Sequence, residues 1–328
     1  MPKVSVIVPV YNVEQFIERC ARSLFEQTLD DLEYIFINDC TPDKSIEVLA
    51  STLEDYPSRK KQVKIIEMPV NSGQAKVRKI GIEAATGDYI IHCDSDDWVD
   101  VTIYEKMWKK ATEEHLDMVV CGYVITDGTK IISTHYNEFK GFKSLQHGII
   151  ADEVKSYSWT KLIRRDYFQH VKKWPKFNFM EDVAIITPIT FQCKFIGKID
   201  EPLYFYFYNS SGITNGSNAK EKAIQIKANT NLAIANIKFL GDSKEFKYEL
   251  KHRKCIAKLY CWDISWLSYI RLFPEINIGL LFDPLIPFEK KLGHLSKCFG
   301  IHGISKLRLF RKKSFLYEKQ QIKDTSIN

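Results

Sequence analysis

Residues 4–10 form a short β-branched apolar run, the pattern of a strand buried on both faces of a parallel sheet. Over residues 13–27 the apolar positions Phe16, Ile17, Cys20, Leu24 and Phe25 recur at helical spacing with polar residues between them. The alternation continues with strands predicted over 34–37, 63–66 and 89–93 and helices over 45–56 and 75–85, the first of these with Ile46, Leu49 and Leu53 on one face. Alternating β and α segments imply right-handed crossovers and a parallel sheet. Ligands lie outside the carboxyl ends of strands in such a sheet. Asn12, Asp39, Asn71 and Asp94 each follow a predicted strand, so polar side chains far apart in sequence converge on one crevice.

Past residue 118 the pattern loosens into strands over 118–126 and 131–134 and a helix over 142–150. After Tyr208 it becomes mainly helical, over 220–240 and 246–271, followed by a proline-containing connection and a basic tail. This organisation predicts an α/β domain over 1–215, in two parts over 1–118 and 119–215, and a helical region over 216–328.

Composition narrows the class. The 328 residues are 45% hydrophobic and 27% charged, ordinary for a folded globular protein and far from a disordered chain. The net charge of +6 is unevenly placed: Lys306, Arg308, Arg311, Lys312 and Lys313 occur without an acidic residue among them, interleaved with Leu307, Leu309 and Phe310, which suits an anionic surface. A solvated helix face accounts for the same pattern. The eight cysteines show no CxxC pair and no zinc-type spacing, so reduced thiols are expected. No signal-peptide layout opens the chain, and the most apolar late stretch, 276–288, is broken by Asp283, Pro284 and Pro287. The expected location is cytoplasmic, on its own or peripheral to the inner face of a membrane through residues 306–313.

Asp94-Ser95-Asp96 is the densest candidate chemistry. At the end of a strand, residues two apart project to one side, so two carboxylates can serve one ligand. Hard oxygen donors at an open site suit Mg²⁺ or Mn²⁺, which complete their shells with phosphate and water. The same triplet can also cap a following helix.

With Gly87-Asp88-Tyr89-Ile90-Ile91 before it and Asp97-Trp98 after it, this run resembles the Asp-x-Asp signature of family 2 glycosyltransferases of GT-A fold. Further segments resemble that family in order over the first two-thirds of the chain: residues 4–12 its opening strand, 36–43 its Asp-Asp-Gly-Ser-Thr-Asp loop, and 71–81 its Asn-x-Gly-x-x-x-Ala-Arg-Asn-x-Gly run. Asn38, Cys40, Pro42, Val77 and Lys79 depart from the pattern. The resemblance implies a nucleotide site in which Asp39 accepts the N3 hydrogen of uracil, Pro9 and Tyr11 line the base pocket, and Glu14 lies near it. It implies that Gly73 and Ser95 contact the donor, that Arg78 brings its positive charge to the donor or to the Asp cluster, that Asp94 lies near the ribose or the metal, and that Asp96 is the principal metal ligand. Residues 158–165 resemble its Trp-Asn-Lys-Leu segment, which puts Trp159 and Lys161 on the acceptor side. Trp159 either stacks on a sugar or packs in the core. Residues 179–183 resemble its Glu-Asp motif, with Glu181 on the acceptor side and Asp182 as general base. Residues 204–214 resemble an aromatic strand ending in Ser-Ile-Thr, with Phe207 where a basic residue is common.

The resemblance therefore implies a metal-dependent, inverting transferase that takes a hexose or N-acetylhexosamine from a UDP-sugar to a hydroxyl of a glycan or lipid-linked acceptor in polysaccharide biosynthesis. A nucleotidyltransferase is the rival within the chemistry, and its glycine-rich triphosphate loop after the first strand is missing. A non-catalytic membrane-associated or nucleic-acid-binding protein is the rival from another class. Nucleic acid is disfavoured, because carboxylates in the crevice repel a phosphate backbone. Donor sugar, linkage and oligomeric state are not readable.

Overall fold

The computed structural model describes residues 1–138, 141–208 and 218–300. Its sheet has nine strands: β1 (Val4–Val10), β2 (Leu32–Asn38), β3 (Val63–Glu67), β4 (Tyr89–His92), β5 (Trp98–Val99), β6 (Met118–Thr126), β7 (Ile131–His135), β8 (Lys161–Arg164) and β9 (Ile196–Phe207). The order is β3-β2-β1-β4-β8-β6-β9-β5, with β7 on the side of β6. The first four strands are parallel, as the βα alternation requires. From β4 onward the sheet is mixed, because β8 runs antiparallel between β4 and β6 while β9 returns parallel to β6.

The uniform apolarity of β1 follows from its central place. Val4, Val6, Val8 and Val10 face one layer of helices, α1 (Ile17–Phe25), α2 (Ser45–Glu54) and α4 (Ile103–Glu113), and Ile7 faces the other, α3 (Gln74–Ala84), α5 (Leu145–Ala151) and α6 (Glu181–Gln192). Gly81 permits the close seating of α3, since a Cβ there would lie 2.4 Å from Ile7 Cγ2. The helical part comprises α7 (Ala219–Leu240), α8 (Lys247–Tyr260), α9 (Trp266–Arg271) and α10 (Phe288–Cys298). It has an apolar cluster of its own, against which Phe179 and Met180 pack.

Two elements differ from the sequence reading. The helix expected over 13–27 begins only at Ile17, because the backbone N–H groups of Asn12, Val13 and Glu14 donate to Thr41, Ser45 and Asp43 of the neighbouring loop. The helix expected over 246–271 is two helices, since Ser265 Oγ accepts from Ser268 N and starts α9 afresh. Residues 209–214 of the aromatic element and the basic run 306–313 lie outside the described residues.

Candidate active site

The crevice at the carboxyl ends of β1, β2 and β4 is built by loops that bond one another. Asp43 receives Thr41 Oγ1 at 2.6 Å, Ser45 Oγ at 2.5 Å and Glu14 N at 2.8 Å. Burial alone would raise its pKa, but these donors outweigh it and hold the carboxyl below its ordinary value. The Glu14 carboxylate accepts from Lys44 N at 3.1 Å. Tyr11 is exposed at the mouth and Pro9 half-buried behind it.

Asp39 is buried directly after β2, and its two oxygens accept the backbone N–H groups of Ser72 at 2.7 Å and Gly73 at 2.8 Å. Strand end and glycine loop are thereby locked together. Gly73 has φ +81, and a Cβ there would meet Asn178 Nδ2 at 2.4 Å. Asn178 in turn accepts from Ala75 N at 3.1 Å, so the segment before Glu181 sits on the first turn of α3.

Asp94, Ser95, Asp96 and Asp97 form a turn closed by Asp97 N donating to the Asp94 carbonyl at 3.1 Å. Strand alternation therefore does not align Asp94 with Asp96, contrary to the sequence argument; the turn itself brings the carboxylates together. Its frame comes from β9. The Tyr204 hydroxyl donates to Asp97 Oδ2 at 2.6 Å and accepts from Asp94 N at 3.0 Å, while Phe207 N donates to Asp97 Oδ1 at 2.7 Å. Ser95 is buried and Asp96 half-buried. Burial first, and the Asp94 charge second, push the Asp96 carboxyl up to about 6. Arg19 Nη2 donates to the Asp96 carbonyl at 2.9 Å, with its guanidinium 3.8 Å from the Trp98 ring and 4.8 Å from that of Phe207. A cation thus lies beside the place where Phe207 departs from the family pattern, supplied by α1.

Arg78 is the centre of the site. Its side chain is 1% exposed, with Nη2 2.8 Å from Asp94 Oδ1, Nε 3.1 Å from Glu181 Oε1 and Nε 3.9 Å from Asp182 Oδ1. Burial would lower its pKa, but Asp94, Asp182 and Glu181 outweigh burial and hold the guanidinium charged. One cation among three carboxylates leaves a surplus of negative charge. Burial first, and the neighbouring Asp182 second, raise the Glu181 carboxyl above its ordinary value against the pull of Arg78. Burial and Asp94 also raise Asp182, against the pull of Arg78. Asp182 Oδ1 is buried without a hydrogen-bond partner, as is Arg78 Nη1.

The other two acceptor-side candidates are interior. Trp159 is 4% exposed, with Tyr204 stacked on it at 4.3 Å and Tyr157 at 4.7 Å, so the core alternative holds and no ring face is open to a sugar. Lys161 is fully buried and donates to the carbonyls of Lys155 at 2.5 Å and Tyr157 at 3.1 Å. Burial lowers its ammonium to about 7.

Among the described residues no group of three or more His, Cys, Asp or Glu is arranged to hold a metal by itself. The residues nevertheless fit an ion whose shell a diphosphate completes: Asp94 and Asp96 are carboxylates of one turn, and the repulsion from Asp94 that adds to burial in raising Asp96 is one a divalent cation would relieve.

The model of the family described as Glycosyl transferase family 2 matches residues 5–172. The uncharacterized glycosyltransferase EpsJ of Bacillus subtilis is 32% identical over 225 residues, 65% of this chain and 63% of its own length. The putative glycosyltransferase EpsH of the same organism is 30% identical over 299 residues, 85% of this chain and 83% of its own. Among solved structures, residues 1–349 of TarS from S. aureus, in complex with UDP, superpose with a TM-score of 0.64 at 16% identity, covering 91% of this chain and 90% of that one.

Proposed function

Because the chain belongs to glycosyl transferase family 2 and has the GT-A fold, we propose that it is an inverting glycosyltransferase that moves a hexosyl or N-acetylhexosaminyl group from a UDP-sugar to an acceptor hydroxyl in glycan assembly. The observation that carries this is the Arg78 cluster, which ties the Asp94 turn at the donor strands to the Glu181–Asp182 pair at the start of α6, with one Asp182 oxygen left unsatisfied.

Uridine lies against Pro9 and Tyr11. Each oxygen of Asp39 retains a second lone pair beyond its backbone bond, and one of these takes the N3 hydrogen of uracil. Arg78 fixes Asp94, and Gly73 keeps the loop close to the nucleotide. Asp94 and Asp96 would hold Mn²⁺ or Mg²⁺, whose contribution when bound is to neutralise charge on the diphosphate. Asp182 accepts the proton of the acceptor hydroxyl as that oxygen bonds to the anomeric carbon; the bond to the diphosphate breaks on the opposite face, and UDP leaves with the electron pair. Burial raises the Asp182 carboxyl above its ordinary value, which makes it a stronger base. Glu181 accepts from Arg78 Nε and so holds the guanidinium in place.

UDP fits this reading because TarS, of the same fold, is described with UDP. The acceptor belongs to a glycan or a lipid-linked oligosaccharide, and a cytoplasmic location with peripheral membrane contact through residues 306–313 completes the proposal. The division at residue 215 belongs to it as well, the helices beyond it having their own apolar cluster.

A panel of sugar nucleotides with Mn²⁺ tests the donor: one UDP-sugar should be hydrolysed in a metal-stimulated manner, and silence across the panel with a folded protein refutes the proposal. Asp182→Asn should bind that donor with unchanged affinity by calorimetry and lose about 10²-fold or more in transfer. Full transfer by this variant removes Asp182 from the role of base.

A further inference from the structure

Helix α10 is amphipathic in the reverse sense of a core-packing helix. Phe288, Leu292, Leu295 and Phe299 recur at i, i+4, i+7 and i+11, a single stripe, and are 70%, 43%, 38% and 72% exposed. The buried positions between them are Gly293, His294 and Ser296. His294 anchors the helix from its polar side, through the Tyr269 hydroxyl at 3.0 Å and the Asn277 carbonyl at 2.9 Å. Ile278 and Phe282, in the segment leading to α10, are 73% and 79% exposed. A helix held by small and polar residues that turns its large apolar ones outward has a partner for that face.

Charge identifies the partner. Lys238, Lys244, Lys247, Lys251 and Lys254 line a groove of about 390 Å³ beside Ile276, where Asp242 pairs with Lys244 and Glu275 with Lys254 and the other three lysines are in excess; Lys251 packs against Gly279, next to exposed Ile278. The 28 residues after Gly300 carry seven Lys and Arg against two Asp and Glu, which places five of the chain's six net positive charges directly beyond the stripe. Two copies meeting face to face on this stripe would bring like-charged segments together, which opposes association. An anionic lipid surface complements both features: apolar side chains enter the headgroup–acyl boundary and lysines meet the headgroups. Among the described residues no helix is long and apolar enough to cross a membrane, so the mode available to this helix is lying on one.

We propose that α10, with Ile278 and Phe282, is the surface by which this protein docks on an anionic bilayer, α10 lying in the interface plane. The proposal deepens the glycan-assembly reading and rests on it for its purpose, since a lipid-linked acceptor presents its hydroxyl at such a surface. The physical case stands on the stripe and the charge.

The test is co-sedimentation of the full chain with vesicles of phosphatidylglycerol and phosphatidylcholine, against phosphatidylcholine alone. The wild type should bind the anionic vesicles, and salt should weaken the binding. Leu292→Asp with Leu295→Asp should reduce partitioning on the order of tenfold for each side chain, a Leu being a substantial apolar anchor. Both positions are solvent-exposed and outside the active site, so UDP-sugar hydrolysis without vesicles should be unchanged in this variant; that readout separates failure of docking from failure of the enzymatic reading. Equal vesicle binding by variant and wild type overturns the proposal. So does light scattering that shows a wild-type dimer dissociated by the double substitution, which assigns the stripe to a second copy.

Discussion

At the scale of single residues the site is a problem of placing charge and of bending backbone. Cys40 stands where the family pattern has glycine, and it has φ 56 in an exposed position, so its side chain brings steric cost and little packing. Cys40→Gly should raise stability by about 0.5–1 kcal/mol, the left-handed penalty less the extra chain entropy of glycine, measured by urea titration. Arg78→Ala should destabilise by about 3–5 kcal/mol, because it leaves buried carboxylates without their cation. That loss should shrink on acidification, which neutralises them, and a variant as stable as wild type at pH 7 contradicts the central role given to Arg78. Asp39, Arg78, Asp94 and Asp182 were named from the family resemblance, and the structure gathers Arg78, Asp94 and Asp182 into one cluster. Their pairings were not legible: Arg78 meets Glu181 across 103 residues, and nothing local in either segment encodes that pairing. Trp159 and Lys161 have residue types that serve either an acceptor or an interior, and only the tyrosines around Trp159 and the carbonyls around Lys161 decide between them.

At the scale of elements, the segment that presents Asp182 is held from the helical part of the chain. Asn229 of α7 is buried and donates to the carbonyls of Phe177 at 3.1 Å and Phe179 at 2.9 Å, Gln225 Oε1 accepts from Phe179 N at 3.0 Å, and Asn236 bonds Lys173 on both backbone sides. Asn229→Ala removes two hydrogen bonds to part-buried carbonyls, at about 0.5–1.5 kcal/mol each. We expect transfer to slow while donor affinity, measured by calorimetry, stays unchanged, because the donor loops lie on other elements; equal losses in both would mean a general loosening of the fold. The strands and helices through β4 were legible because period-2 and period-3.6 patterns alternate cleanly there. The four-residue turn at Asp94 was not, since its frame is the Tyr204 hydroxyl 110 residues away. Helix α6 escaped the periodicity argument because it is buried nearly all round, which leaves no polar face to mark it.

At the scale of the molecule, α8 is fastened to the segment after α5. His252 Nδ1 lies 2.7 Å from Asp283 and its Nε2 3.2 Å from Glu153, while Arg253 Nη2 donates to Ser156 Oγ at 3.1 Å. Burial would lower the imidazole, but the two carboxylates outweigh burial and raise it to about 9. A group bound more tightly to its proton in the folded state contributes fully below its unfolded value near 6.5 and loses that contribution as pH rises toward 9. Stability should therefore fall by about 3 kcal/mol across that interval, and His252→Gln should flatten the decline in denaturant midpoints measured from pH 6 to 9. A wild-type profile already flat there dismisses the linkage. The α/β class and the helical nature of the last third were legible from the succession of periods, whereas the antiparallel insertion of β8 was not, because strand order follows from packing that no local pattern records. The dependence of the Asp94–Asp97 turn on Tyr204 and Phe207 also carries a consequence for biosynthesis on the ribosome. The turn emerges first, and the residues that brace it emerge about a hundred residues later, so a nascent chain stopped short of the ninth strand has the turn without its brace. On the function proposed above, a half-made copy would therefore lack a rigid donor turn.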